Sequence, residues 1–196
     1  MQDTAYLKCI IPKCGKEYVI SSTRIHCDCG NLLDVKYKNT PSSKLKATFY
    51  QRHNPQGSIF NESGVWRFRE LLNFCQIDTE NLEQCSKNLV SLDGAEGRQS
   101  KPYHMSKVAE FIGIDSEKLM LQPEGYNPSG SFKDNGMSTA VTHAKMVNAK
   151  KIICASTGNT SASAGMFAAN ENIECDVYIP EGEISPGKLS QAYQFG

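Results

Sequence analysis

Short apolar runs alternate with helical patterns in the second half of the chain. Residues 118–122 (KLMLQ), 151–155 (KIICA) and 175–180 (CDVYIP) are apolar runs of strand length, and each precedes a polar loop and a helical pattern. Three strand–helix units in succession predict an α/β fold with a parallel sheet and right-handed crossovers. The loops that leave the carboxyl ends of such strands lie at one edge of the sheet, where ligands bind.

Residues 38–114 show a weaker pattern. The polar segment 38–62 contains Pro, Gly and Ser and predicts a connector. A short helix is predicted next, with Ser63 as its N-cap and one apolar face formed by Val65, Phe68, Leu72 and Cys75. Its other large side chains are expected to pack against it or solvate it: Trp66, Arg67 and Arg69. Two more elements are predicted: a strand at Leu89–Leu92, and a helix at 103–114 with Met105, Val108, Phe111 and Ile112 facing inward.

Four of the eight cysteines form two close pairs near the N-terminus. The pairs have the spacings C-x4-C and C-x-C, each is followed by glycine, and twelve residues separate them: Cys9, Cys14, Cys27 and Cys29. This arrangement resembles a zinc ribbon, in which two hairpin turns supply four thiolates to a tetrahedral zinc ion, although the usual pair is C-x2-C. His26 could replace one cysteine as a ligand. Residues 1–38 are therefore predicted to form zinc-ribbon-like β hairpins, either with zinc or as a metal-free relic.

Composition and charge exclude several classes of protein. The 196 residues are 39% hydrophobic and 21% charged, and 21 basic residues balance 21 acidic ones. A neutral balance gives no electrostatic reason to expect a nucleic-acid or membrane partner. No apolar run approaches the roughly 20 residues of a membrane helix, and the N-terminus lacks a secretory pattern. We therefore expect a cytoplasmic protein in which the remaining cysteines are ordinary apolar thiols: Cys75, Cys85, Cys154 and Cys175. The number of subunits stays open.

Two polar loops at the predicted sheet edge carry candidate chemistry. Residues 127–136 (NPSGSFKDNG) place Lys133 near the start of a helix, where the positive end of the helix dipole favours the neutral amine that a Schiff-base lysine needs. Residues 156–160 (STGNT) offer hydroxyls, the Asn159 amide and free backbone N–H groups as an anion cradle. We expect the two loops to be neighbours around a cofactor aldehyde and a carboxylate. The alternative is a pair of ordinary solvated surface loops.

Several segments resemble one enzyme family. NPSGSFKDNGM, ASTGNTSASAG, IPEG and GKLSQA are similar to threonine synthase, a pyridoxal-phosphate enzyme of the tryptophan-synthase-β type, and CGNLLDVKY and SGVWRFRELL are similar to its N-terminal region. The resemblance is spread in the right order along most of the chain. It implies a three-layer parallel-sheet α/β fold, fold type II. The implied domains are the ribbon at 1–38, a connector with part of the large domain at 39–100, and a small α/β domain with the Schiff-base lysine at 101–196.

The resemblance also implies roles for particular residues. Lys133 would carry pyridoxal phosphate as a Schiff base, and Asn159 would hydrogen-bond the pyridoxal 3′ oxygen. The substrate's carboxylate and phosphate would meet Ser156, Thr157, Thr160 and Lys188. The implied reaction is a β,γ-replacement that converts O-phospho-L-homoserine and water into L-threonine and phosphate, the last step of threonine biosynthesis.

Three features depart from the family's pattern. Residues 93–105 read DGAEGRQSKPYHM where the family usually has a segment like GEGNTPL, and Asn135 stands where the family often has Arg. The family also continues well beyond the position of Gly196, with a Gly-rich loop for the cofactor phosphate and a polar partner for the pyridine nitrogen. We therefore expect the 196-residue chain alone to be inactive.

Two other functions stay open at this point. One is a different lyase or synthase of the same fold type, such as a cysteate synthase or a diaminopropionate lyase, which the altered segment 93–105 would favour. The other is a non-catalytic zinc-ribbon binding module that carries a remnant of the enzyme fold. Product analysis would separate the first from threonine synthase, and a failure to bind pyridoxal phosphate would indicate the second.

Overall fold

The N-terminal part of the chain is a small antiparallel sheet. The computed structural model describes residues 5–38, 44–52, 58–72, 89–92, 94, 95, 97, 103–182, 190 and 193–195. Strand β1 (Ala5–Cys9) lies between β2 (Glu17–Val19) and β3 (Leu33–Tyr37). The register pairs Leu7 with Tyr18 and Val35, so these side chains share one face. This sheet positions the turns that carry the four N-terminal cysteines.

Three short helical segments follow the sheet. They are α1 (Lys44–Gln51), α2 (Ile59–Glu62) and a 3₁₀ helix (Trp66–Leu71). The N-cap residue of the 3₁₀ helix is Val65 rather than the predicted Ser63, although the Ser63 hydroxyl accepts hydrogen bonds from the backbone N–H groups of Val65 and Trp66, each at 3.1 Å, at the start of this helix. The predicted helix is shorter and tighter than expected, since it ends at Leu71. Cys75, the last residue of the predicted apolar face, lies outside the described residues.

The arginines of the 3₁₀ helix are buried rather than solvated. Arg67 is 6% exposed and Arg69 is 3% exposed. Arg69 Nη1 donates to the side-chain oxygen of Asn61 and to the backbone oxygen of Trp66, each at 3.0 Å. Burial, with a smaller effect of the Arg52 charge, lowers the pKa of Arg69 to about 10. The expectation that these two guanidinium groups solvate the helix was wrong, because neighbouring backbone and side-chain oxygens bind Arg69 inside.

Residues 89–92 form no strand in the described structure, although Leu89 and Val90 are buried. Val90 donates its backbone N–H to the Thr142 hydroxyl at 2.9 Å and accepts from the Trp66 indole N–H at 2.8 Å. Side chains therefore satisfy the backbone groups that a neighbouring strand would otherwise bind. The predicted strand was wrong for this reason, and Leu89 and Val90 are nevertheless buried.

Residues 103–126 also differ from the prediction. Strand β4 (Tyr103–His104) pairs antiparallel with β5 (Met120–Leu121), and helix α3 (Ser106–Ile112) lies between them. We expected residues 118–122 to form a strand of the parallel sheet. Their strand, β5, instead pairs antiparallel with β4. The inward face predicted for α3 was wrong as well, because Val108, Phe111 and Ile112 are exposed and only Ala109 of this helix is buried.

The remaining elements form the core of the α/β unit. Helix α4 (Lys133–Met146), strand β6 (Lys151–Ala155), helix α5 (Asn159–Asn170) and strand β7 (Glu174–Tyr178) follow one another in the chain. Strands β6 and β7 are parallel, as predicted. Val90, Val141 and Phe167 form a fully buried cluster, with Leu92, Met137, Ile152 and Ile173 packed against it. No helix in the described part of the chain is long and apolar enough to span a bilayer.

The backbone approach between Gly64 and Gly97 leads to a prediction about stability. A Cβ atom at Gly64 would lie 1.7 Å from the backbone oxygen of Gly97, and a rigid backbone cannot yield by that distance. We expect Gly64→Ala to lower the free energy of unfolding by about 3 kcal/mol or more. Gly125→Ala is the matched control, since no atom lies within 4 Å of the added Cβ. Urea unfolding measures both, and equal midpoints would show that this contact is not rigid.

Candidate active site

Lys133 is the first residue of α4, as predicted. The loop before it is fixed at its end by the Ser131 hydroxyl, which accepts the Lys133 backbone N–H at 3.2 Å. Lys133 Nζ lies 4.5 Å from the ring centroid of Phe132, a side chain that is 57% exposed. In the described part of the chain the Lys133 amine forms no ion pair. Lys133 as a whole is half-buried, and its amine is available to a ligand.

A buried amide holds the rest of this loop in place. Asn127 donates to the Ser131 backbone oxygen at 2.9 Å and to the Glu124 carboxylate at 2.8 Å, and its side-chain oxygen accepts the Gly97 N–H at 2.7 Å. Asn135 donates to the same carboxylate at 3.0 Å. The loop that carries Lys133 is thus bound to Gly97, which belongs to the altered segment 93–105. Nothing in the local pattern assigned this role to Asn127, although its place in the NPSGSFKD motif is a usable signal.

A buried hydrogen bond joins Asp134, in the first turn of α4, to helix α5. The Asp134 carboxylate is completely buried and accepts from the Ser129 hydroxyl at 2.5 Å and from the Ser163 hydroxyl at 2.6 Å. Ser163 lies on α5, so the hydrogen bond joins the segment that contains Lys133 to the segment that contains STGNT. The structure therefore brings these two parts of the chain together. Asp134, Ser129 and Ser163 were not among the site residues predicted from the sequence.

The N-terminal end of α5 offers groups that suit an anion or a polar ring substituent. Asn159 is exposed as the first residue of the helix, while Ser156, Thr157 and Thr160 are half-buried around it. The Ser156 hydroxyl accepts the Gly158 N–H at 3.3 Å, and open space surrounds the position of a Cβ on Gly158. The first backbone N–H groups of a helix lack intrahelical partners and bind anions well.

These observations fit pyridoxal phosphate. Among the described residues, the amine at the start of α4 has no acidic partner, the exposed Asn159 amide and backbone N–H groups stand at the start of α5, and the glycine there leaves room for a flat group to approach. The described residues can therefore supply the attachment point and polar contacts of the cofactor. Lys188, predicted to meet the substrate phosphate, lies outside the described residues.

The four N-terminal cysteines form a separate cluster. All their sulfur atoms lie within 4.8 Å of one another, and the Cys9–Cys29 and Cys14–Cys27 sulfurs are each 3.6 Å apart. Gly15 and Gly30, which follow the pairs, have φ angles of 61° and 83°, a conformation that favours glycine. His26 is exposed and lies outside this cluster, so the structure gives no support to its substitution as a ligand.

The local environment changes the acidity of these thiols in opposite directions. The Ile11 N–H acts to lower the pKa of Cys9, but burial and the neighbouring thiols outweigh it and raise that pKa to about 12. Hydrogen bonds from the side-chain amide and the backbone N–H of Asn31 lower the pKa of Cys29 to about 6. The cluster thus contains a sulfur that readily becomes a thiolate, the form that binds metals.

Comparison with known proteins identifies the class of protein. Residues 99–196, half of the chain, match the family described as pyridoxal-phosphate dependent enzyme. The chain therefore belongs to this family, in agreement with the mixed α/β fold and with the environment of Lys133.

The individual proteins that the chain resembles are threonine synthases. The threonine synthase of Methanocaldococcus jannaschii is 36% identical over 189 residues, which cover 96% of this chain and 41% of that protein. The enzyme of Methanosarcina acetivorans is 33% identical over 97% of this chain and 41% of its own length. That of Bacillus sp. (strain ULM1) is 58% identical over 89 residues, 45% of this chain. The chain spans about two fifths of the length of the first two relatives.

Proposed function

We propose that the chain supplies the lysine-bearing part of a threonine synthase, which converts O-phospho-L-homoserine and water into L-threonine and phosphate. The observation that carries this proposal is the placement of Lys133 at the start of α4, which the Asp134–Ser163 hydrogen bond joins to α5 with Asn159 at its start. The names of the similar proteins support the same reaction. The family alone would allow other chemistry, so the substrate is part of the proposal.

Lys133 and Asn159 would have separate roles at the cofactor. Bound pyridoxal phosphate supplies an electron sink for carbanion chemistry. The Lys133 amine would attach it and, after the substrate's amino group takes that place, would move protons between Cα and Cβ of the substrate. The Asn159 amide would donate a hydrogen bond to the ring oxygen and so fix the orientation of the ring.

The substrate's anionic groups would lie at the start of α5. Ser156, Thr157 and Thr160 carry hydroxyls there, beside the N–H groups of the first helical turn, and these donors suit a carboxylate or a phosphate. Lys188 would add a cation to the leaving phosphate, which stabilises the charge that develops as the bond to it breaks. Donors that are already in place reduce the reorganisation that the reaction requires.

The activity test measures phosphate release and threonine formation from O-phospho-L-homoserine. Because the chain covers 41% of the length of similar proteins, we expect turnover to need the sequence that corresponds to the remainder. Each missing preorganised contact costs about 10²–10³ in rate, so the 196-residue chain alone should be slower than a longer protein containing it by at least that factor. Equal rates would contradict this dependence. A different amino-acid product from other phosphorylated amino acids would instead favour the cysteate-synthase-like alternative.

We also propose that residues 1–38 are a zinc ribbon, residues 39–100 a connector with part of the large domain, and residues 101–196 the small domain. A tetrahedral site with zinc–sulfur bonds of about 2.3 Å places its sulfurs about 3.8 Å apart. The sulfur separations of 3.6 Å within Cys9–Cys29 and Cys14–Cys27 are close to that value and far longer than a disulfide bond. The described cysteines are all free thiols, which the reducing cytosol preserves, and we propose that compartment.

A further inference from the structure

The carboxylate next to Lys133 has an unusual set of partners. Asp134 Oδ1 accepts from the hydroxyls of Ser129 and Ser163, and Oδ2 accepts from the Ser129 backbone N–H at 2.8 Å. Asp134 and Ser163 are both completely buried. Since every partner is a donor, the side chain at position 134 must accept at both of its terminal atoms. A carboxylate does this, whereas an asparagine would turn an NH₂ group toward one of the donors.

These hydrogen bonds join the two segments that the cofactor would touch. Ser129 lies in the loop before α4, and Asp134 follows Lys133 in the first turn of that helix. Ser163 lies four residues after Asn159 and therefore on the same face of α5. A displacement at Asp134 would move the Lys133 turn relative to the first turn of α5.

Apolar packing does not hold the helix starts in the same way. The fully buried core contact between the helices involves Val141 on α4 and Phe167 on α5, each eight residues, about 12 Å, beyond the start of its helix, and Met137, four residues beyond the start of α4, packs against them. The members of this apolar cluster therefore lie beyond the first turn of each helix. The Asp134–Ser163 hydrogen bond acts directly between them.

We propose that Asp134 is a positioning residue, which holds the amine-bearing turn of α4 in a fixed place relative to the ligand-binding first turn of α5. The inference rests on the proposed function, because it assigns both turns to one cofactor site. Small errors in such placement have large effects, since a displacement of about 1 Å can cost 10²-fold in rate. Asp134 need not touch the cofactor to have this effect.

The test compares Asp134→Asn with Ser138→Ala. Ser138 is another completely buried side chain on α4, and its hydroxyl donates to the Asn135 backbone oxygen at 3.0 Å, a hydrogen bond within the same helix. Amide hydrogen exchange of Ser161 and Ala162 in the cofactor-free chain reports on the first turn of α5, whose N–H groups bind the Gly158 oxygen. We expect about tenfold faster exchange there in Asp134→Asn, the scale of losing one hydrogen bond to a charged group, and no more than a twofold change in Ser138→Ala. Ser163→Ala, a milder variant that removes one donor, should behave like Asp134→Asn.

A second readout is the rate at which borohydride fixes pyridoxal phosphate on Lys133, which should fall about tenfold in both Asp134→Asn and Ser163→Ala. Unchanged exchange at Ser161 and Ala162 in both variants, or an equal increase in Ser138→Ala, would overturn the positioning role. If neither the unmodified chain nor a longer protein containing it fixes cofactor on Lys133, the proposed function fails, but hydrogen exchange still decides the role of Asp134. The two failures are therefore distinguishable.

Discussion

Replacing Lys133 with alanine is expected to abolish the covalent attachment of pyridoxal phosphate. Lys133 carries the amine at the start of α4, half-buried and without an acidic partner in the described part of the chain. Borohydride should fix one cofactor per unmodified chain and none in Lys133→Ala, and peptide mass spectrometry locates the attachment. In a longer, active protein the same change should lower turnover by about 10³-fold or more, because the amine both binds the cofactor and transfers protons.

The matched control for this experiment is Lys150→Ala. Lys150 is an exposed lysine in the connection between α4 and β6, so its loss should leave cofactor attachment unchanged. Circular dichroism of both variants checks that the fold persists. If Lys133→Ala still carried the fixed cofactor on another lysine, the assignment of Lys133 would be wrong. If neither the unmodified chain nor a longer protein bound cofactor, the non-catalytic alternative would gain support.

Removal of zinc is expected to unfold the N-terminal sheet. Structural zinc in small domains contributes an apparent 10–16 kcal/mol at neutral pH, far more than a three-stranded sheet of this size gains from burial. The sheet exposes large apolar side chains such as Val19 and Val35, which indicates a small core. We expect one zinc ion per chain by elemental analysis, and a chelator should cause fast hydrogen exchange across residues 5–38 while α4 and α5 stay protected.

Two cysteine-to-serine variants test whether zinc binds at the N-terminal cysteine cluster. Cys14→Ser should lose zinc and reproduce the effect of the chelator, whereas Cys154→Ser should keep it, because Cys154 lies in β6 outside the cluster. A purified protein with no metal and with a protected N-terminal sheet would show that the cysteines form a metal-free hairpin. The departures from the usual C-x2-C spacing would then be the reason.

The parts of the site that depend on short segments could be predicted from the sequence. A glycine- and serine-rich loop followed by a helical run is enough to place Lys133 at the start of α4, and the STGNT turn does the same for Asn159 at the start of α5. The grouping of the N-terminal cysteines also follows from local spacing, because each pair ends at a glycine turn. Backbone preference and helix periodicity act within a few residues, so they can be recognised in the sequence without knowledge of the fold.

Contacts between distant segments could not be predicted in this way. Residues 118–122 have the composition of a strand, but their pairing with Tyr103–His104 depends on the path that the chain takes between the two segments. Valine is common in strands, yet the backbone N–H and C=O of Val90 form hydrogen bonds with the side chains of Thr142 and Trp66, which lie on two other elements. Apolar spacing alone does not reveal which neighbours satisfy a backbone group or cover a side chain.

The same distinction between local features and contacts of distant segments applies to the candidate site. Local sequence determined that a lysine and an amide each begin a helix, because loop chemistry and helix propensity decide where helices start. Only the tertiary structure decided that Ser163 meets Asp134, 29 positions earlier in the chain, and that Asn127 binds Gly97 across 30 positions. Such hydrogen bonds depend on how distant segments pack against one another and on which donors that packing buries, and these are properties of the assembled fold.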